Sequence, residues 1–139
     1  MEPKKMLKLG FTGTQEGATS AQIAKLDELF ASFGQFELHH GDCIGADKAA
    51  HLAARRVGAS VVIHPPLVKT KRAFCESALI LPPKAYLERN KDIVDATDVL
   101  IACPKSEKEE LRSGTWSTVR YARKQRKMEI IILPDGSIR

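Results

Sequence analysis

Short apolar runs alternate with amphipathic stretches along the whole chain. Leu7-Lys8-Leu9-Gly10-Phe11 has a strand pattern and runs into Thr12-Gly13-Thr14, where glycine permits a tight turn. Thr19 followed by Gln22 has capping-box spacing, and Ile23, Leu26, Phe30 and Phe33 then share a helical face that ends at Gly34. Gln35–His40 is a second predicted strand. After it, Gly41–Asp47 leads into an alanine-rich helix around 49–54, suited to lying close on a sheet and closed by Gly58. Ser60–His64 is nearly continuous in apolar residues, as a strand buried on both faces is, and Pro65-Pro66 stops it.

Between Leu67 and Pro83 the pattern blurs. Beyond it, Lys84–Ala96 is a predicted helix, Asp98–Ala102 a buried strand, Thr115–Lys127 a helix, and Glu129–Leu133 a fifth strand ended by Pro134-Asp135-Gly136. Strands separated by helices need crossover connections, and right-handed crossovers onto one sheet give an α/β fold. The expectation is a three-layer, Rossmann-like, doubly wound and mostly parallel sheet of five strands. Ligands of such sheets bind beyond the carboxyl ends of the strands, where the strand order reverses. The loops after the first, second and fourth predicted strands therefore form the expected site.

Length and composition narrow the class. A chain of 139 residues and 15.3 kDa, with 43% hydrophobic and 28% charged residues, fits one globular domain over 1–139 and excludes disorder. No apolar run approaches the roughly 20 residues that span a bilayer, and the basic start Met1–Lys5 is followed by a strand-like segment rather than a secretory apolar region. A cytoplasmic protein with no membrane partner is expected. Three cysteines, Cys43, Cys75 and Cys103, form no C-x-x-C pair and point to reduced thiols rather than to disulfides or a zinc site. A net charge of +5 and a pI near 9.2 favour anionic partners, with a phosphate-bearing small molecule satisfying the charge as well as a nucleic acid would.

The three loops hold the unusual glycines and small hydroxyl residues: Gly10–Thr14, Gly41–Asp47 and Ser113-Gly114-Thr115. Exposed backbone N–H groups at helix N-termini bind phosphate through fixed dipoles, and glycine leaves them accessible. Gly10-x-x-Gly13 is neither a Walker loop nor a full dinucleotide fingerprint, so a tight turn alone also explains it.

Taken together, four motifs carry a resemblance over nearly the whole chain. They are Gly10-Phe11-Thr12-Gly13-Thr14 with Thr19 and Gln22, Gly41-x-x-x-Gly45-Ala46-Asp47, Tyr86-Leu87-x-Arg89-Asn90-x-x-Ile93-Val94, and Arg112-Ser113-Gly114-Thr115-Trp116-x-Thr118. The set resembles the SLOG superfamily, nearest its small single-domain members related to YspA and YpsA. That superfamily includes the Lonely Guy phosphoribohydrolases and the DNA-processing DprA proteins. The resemblance implies a Rossmann-like fold and a nucleotide or nucleotide-derived ligand. It assigns ligand binding to Gly10, Thr12, Gly13, Thr14, Gly41, Gly45, Ala46, Asp47, Arg89, Asn90, Arg112, Ser113, Gly114 and Thr115.

Ser113-Gly114-Thr115 matches the end of that superfamily's Gly-Gly-x-Gly-Thr phosphate loop, with Leu111-Arg112 where the first glycines would stand. An arginine there clamps phosphate from its side chain. Arg89 falls on the arginine that phosphoribohydrolase members use in catalysis, but Thr118 occupies the position of their catalytic carboxylate. A threonine cannot stabilise an oxocarbenium-like state, leaving Asp47 or Asp42 as substitutes. Asp47 suits helix capping or a ligand hydroxyl better than catalysis.

Other residues offer less. His39 and His40 point to opposite faces of a strand and cannot hold one metal together. With His51 and His64 on separate elements, no metal is expected, nor a cofactor beyond the ligand. Cys43 and Cys103 lie near strand ends as small fillers within reach of the site. Trp116 suits stacking on a base, the core, or a contact between subunits; in a homo-oligomer, Trp116 and Tyr121 are the expected contacts. Arg120, Arg123, Lys124, Arg126 and Lys127 form a basic helix, either a solvated face or a nucleic-acid surface. Three readings follow: a ligand-binding sensor module, a nucleoside 5′-monophosphate phosphoribohydrolase, and a single-stranded nucleic-acid binder. The third lacks an aromatic platform, with only 6% aromatic residues.

Overall fold

The computed structural model describes residues 6–139; the basic start Met1–Lys5 lies outside them. In chain order the elements are β1 (Leu7–Gly13), α1 (Ser20–Ser32), β2 (Phe36–His40), α2 (Ala46–Arg56), β3 (Ser60–Ile63), β4 (Leu79–Ile80), α3 (Tyr86–Asp95), β5 (Val99–Cys103), α4 (Gly114–Lys124) and β6 (Met128–Ile131). The strands form one sheet in the order β4-β3-β2-β1-β5-β6, and every pairing is parallel. This is the expected Rossmann-like α/β fold with one correction. The sheet has six strands, not five, because the blurred segment contributes β4. That strand is two residues long and both its side chains are exposed, so no apolar alternation marks it.

The two faces of the sheet carry separate cores. Leu9, Phe11, Leu38, Ile63 and Ile101 pack with Leu26 and Phe30 of α1 and with Ala50, Ala53 and Ala54 of α2. Leu100, Ala102 and Ile131 pack with Val94 of α3 and with Trp116, Val119 and Ala122 of α4. Successive residues of β5 thus alternate between cores, which accounts for its unbroken apolar run. The capping box at α1 forms in both directions: the Gln22 N–H donates to Thr19 Oγ1 at 3.0 Å and the Thr19 N–H to Gln22 Oε1 at 2.9 Å. Gln22 Nε2 also donates to the carbonyls of Pro104 and Ile132, fastening α1 across the ends of β5 and β6.

The strand order reverses between β1 and β5. Their carboxyl ends open towards α2 on one side and α4 on the other, and that crevice positions the site.

Candidate functional site

A cavity of about 610 Å³ occupies the crevice. Its walls come from the end of β1 (Thr12, Gly13, Thr14), the loop after β2 (Gly41, Cys43) with Asp47, the start of α3 (Tyr86, Leu87, Arg89, Asn90), and the loop into α4 (Arg112, Ser113, Gly114, Thr115). Eleven of the residues assigned from the sequence line this one space. Gly10, Gly45 and Ala46 do not; they support the wall from behind. A Cβ on Gly10 would stand 2.7 Å from Thr97 Oγ1, so this glycine lets the chain after α3 approach β1. Gly45 has φ +91°, where L side chains rarely sit, and a Cβ there would meet the Thr14 carbonyl at 2.7 Å. Ala46 lies against Gly13 and donates its N–H to the Thr14 carbonyl at 2.9 Å, tying α2 to β1.

The α4 end of the cavity presents hydrogen-bond donors. Ser113 caps the helix by accepting from the Trp116 N–H at 3.2 Å. The N–H groups of Gly114 and Thr115 have no partner among the described residues, and both residues line the cavity. A Cβ on Gly114 would meet nothing within 4 Å, so the approach to these donors is open. Arg112 is exposed on the same wall and has no ion pair among the described residues. Helix dipole, unpaired donors and a free guanidinium therefore converge.

The opposite wall holds Arg89 and Asp47. Arg89 is only 5% exposed, and its guanidinium is largely engaged by the scaffold. Nη1 donates to the carbonyls of Gly41 at 2.6 Å and His64 at 3.1 Å, and Nε donates to Asn90 Oδ1 at 2.8 Å. Nη2 reaches Cys43 Sγ at 3.6 Å. Asp47 accepts from the Cys43 N–H on Oδ2 at 3.1 Å and lines the cavity. Burial pushes its carboxyl up to about 6, against the pull of the neighbouring backbone N–H groups and Arg89.

Asp42 is a structural residue. Fully buried, it accepts from Arg72 Nε at 2.6 Å and from the Cys75 N–H at 2.9 Å, clamping the 69–75 segment, and it does not line the cavity. Thr118 is buried and donates to the Gly114 carbonyl at 2.8 Å. Cys43 lines the cavity and Cys103 does not, and burial raises both thiols, so neither is an activated nucleophile. Of the roles open to Trp116 the structure selects the core: it is 1% exposed, which removes it from base stacking and from subunit contact. The pattern alone missed Tyr86 and Leu87 as wall residues, although both stood within a motif. The Tyr86 hydroxyl is sealed from solvent without a partner.

The histidines pair across elements. His40 Nε2 meets His51 Nδ1 at 3.0 Å with the Cys75 thiol nearby, the three ligand atoms lying within 4.8 Å of one another. Because His40 Nδ1 accepts the Asp42 N–H at 2.9 Å, the proton of neutral His40 sits on Nε2 and is donated to His51. The Nε2 lone pair a metal would need is absent in that tautomer. The basic helix is similarly engaged: Arg120 donates to the Glu110 and Leu111 carbonyls, Arg123 to Glu129 at 2.7 Å, and Lys127 to the Thr97 carbonyl at 2.8 Å.

No protein-family model matches the chain, and no curated protein does. Solved structures match it in fold. The molybdenum cofactor binding protein from the phototrophic bacterium Rippkaea orientalis superposes with a TM-score of 0.73 at 24% identity, over 94% of this chain and 78% of that one. The molybdenum cofactor carrier protein from Chlamydomonas reinhardtii gives 0.66 at 18%, over 90% and 76%. DNA processing protein A (DprA) from Streptococcus pneumoniae gives 0.67 at 17%, over 91% of this chain and 50% of that one. The Rossmann-like fold implied by the four motifs is the fold observed, and solved structures of a cofactor carrier and a DNA-processing protein share it. No helix among the described residues is long and apolar enough to cross a membrane.

Proposed function

We propose that the chain binds a nucleotide or nucleotide-derived phosphate ligand in this cavity, as a sensor or ligand-binding module. The observation that carries the reading is the pairing of two ends in one space. The unpaired Gly114 and Thr115 N–H groups with Arg112 suit a phosphate, and the Asp47 carboxyl in the opposite wall suits a ligand hydroxyl. Tyr86 and Leu87 offer an apolar wall between them for a ring. A molybdenum cofactor is a second occupant, supported by the names of two structures with this fold.

Thermal unfolding with AMP, cyclic nucleotides, NAD, ADP-ribose and molybdenum cofactor, each against inorganic phosphate, tests the reading. A ligand at a hundredfold its dissociation constant adds about 2.7 kcal/mol, which raises the melting temperature of a chain this size by roughly 9 °C. A shift with one of these and none with phosphate at equal concentration is expected. Absence of any shift across the set overturns the assignment.

A further inference from the structure

A second cavity, of about 550 Å³, lies between the chain after β4 and helix α3, with Arg89 in the walls of both. Its walls include His64, Leu81, Pro82, Lys84, Asp92 and Ala96. The charged groups there already have hydrogen-bond partners. Lys84 Nζ holds Asp92 at 2.7 Å, Asp95 accepts from the Tyr121 hydroxyl at 2.8 Å, and Arg89 Nη1 is engaged by backbone carbonyls. With no charged group of this wall left without a hydrogen-bond partner among the described residues, the cavity suits a neutral molecule.

One polar atom in that wall is open. Glu37 Oε1 lies 2.7 Å from His39 Nε2, and a carboxylate only accepts, so the His39 proton sits on Nε2. His39 Nδ1 is then an acceptor, and at 2.8 Å it takes the proton of His64 Nε2. The relay leaves His64 with a bare lone pair on Nδ1. That atom has no partner among the described residues and is not sealed from solvent, although the residue is only 5% exposed. Burial lowers both imidazoles, His64 to about 4, so the pair stays neutral at physiological pH and the direction of the relay is kept.

We propose that the second cavity binds a small, neutral, planar heterocycle whose N–H donates to His64 Nδ1 while its ring lies on Leu81, Pro82 and Ala96. Such a site rejects an isostere lacking the donor, because the buried acceptor would then be left facing an apolar or lone-pair surface.

Indole and benzofuran test this, being alike in shape and differing in N–H against O. Titration of the whole chain, followed by the nitrogen resonances of His64, should show indole binding tighter than benzofuran by about tenfold or more. The signal of His64 Nδ1 should move on binding. Ala96→Leu fills the cavity from an exposed position and should abolish indole binding with the fold intact. Equal affinities, no binding of indole, binding unchanged in Ala96→Leu, or a proton found on His64 Nδ1 in the free protein each overturns the proposal.

Discussion

Gly41 and Arg89 share one space. A Cβ on Gly41 would stand 2.6 Å from Arg89 Cζ, and the same guanidinium donates to the Gly41 carbonyl at 2.6 Å. The glycine is there because α3 delivers a buried cation onto the loop after β2, bracing the Gly41 and His64 carbonyls at once. Gly41→Ala should therefore destabilise the fold by about 1–3 kcal/mol through overpacking. In an Arg89→Ala background the same change should cost little, a coupling of about 1 kcal/mol or more in a double-mutant cycle. Additive denaturation free energies would show that the two residues act independently.

Gly114 gives the contrasting case. Its Cβ position is open and its φ is not left-handed, so Gly114→Val should fold with a melting temperature close to the parent's. If the cavity holds its ligand through a phosphate at the unpaired donors of α4, the added side chain should lower that affinity about tenfold or more. Unfolding of the variant, or binding equal to the parent's, would remove the phosphate assignment from this loop.

Hydrolysis of a nucleoside monophosphate is not expected. Thr118 stands where a carboxylate is required and its hydroxyl is engaged by the Gly114 carbonyl, while the donors of Arg89 are largely taken by the scaffold. Chromatography of an AMP incubation should show no free adenine. Base release that disappears in Asp47→Asn would instead make Asp47 the acid of an enzyme.

Much of this was legible because it is written locally. The capping box at Thr19 and Gln22, the two-faced run of β5 and the glycines at strand ends each state a backbone requirement within a few residues. What was hidden depends on distant partners. β4 exists only because Leu79 and Ile80 pair with Val62 and Ile63, and exposed side chains leave no pattern behind. Glycines look alike in sequence whether they line a cavity, as Gly114 does, or let a neighbouring element approach, as Gly10 does. Trp116 and the histidines followed the same rule: the Val119 and Ala122 face of α4 buries the indole, and His39 meets a partner 25 residues away, just past the end of the adjacent strand.

The basic helix should be a stabilising element rather than a nucleic-acid surface. Arg120 braces the carbonyls before α4, and Arg123 pairs with Glu129. Replacing Arg120, Arg123 and Lys124 by alanine should lower the melting temperature by a few degrees and leave nucleotide binding in place. Tight oligonucleotide binding by the parent, falling steeply with salt and lost in the triple variant, would establish a DNA-processing role instead.

Acid should unfold this chain early, through its histidines. Burial holds folded His40 at about 3 and His64 at about 4, below the ordinary 6.5. Between those values and 6.5 the unfolded chain binds protons that the folded chain refuses, so this stability is whole above pH 6.5 and is lost as pH falls. Asp47 acts in the opposite sense. Its folded carboxyl sits at about 6 against an ordinary 3.8, so its contribution is whole below 3.8 and is lost as pH rises through 6. Two deeply displaced histidines outweigh one carboxyl, and urea midpoints should fall from pH 6.5 to 4. Asp47→Asn keeps an acceptor for the Cys43 N–H while removing the buried charge. It should be more stable than the parent by about 1–3 kcal/mol above pH 6 and indistinguishable from it below pH 4. A difference of the same size at pH 4 and at pH 7.5 would mean that Asp47 acts through packing, and that its carboxyl carries no charge-dependent cost in the folded chain.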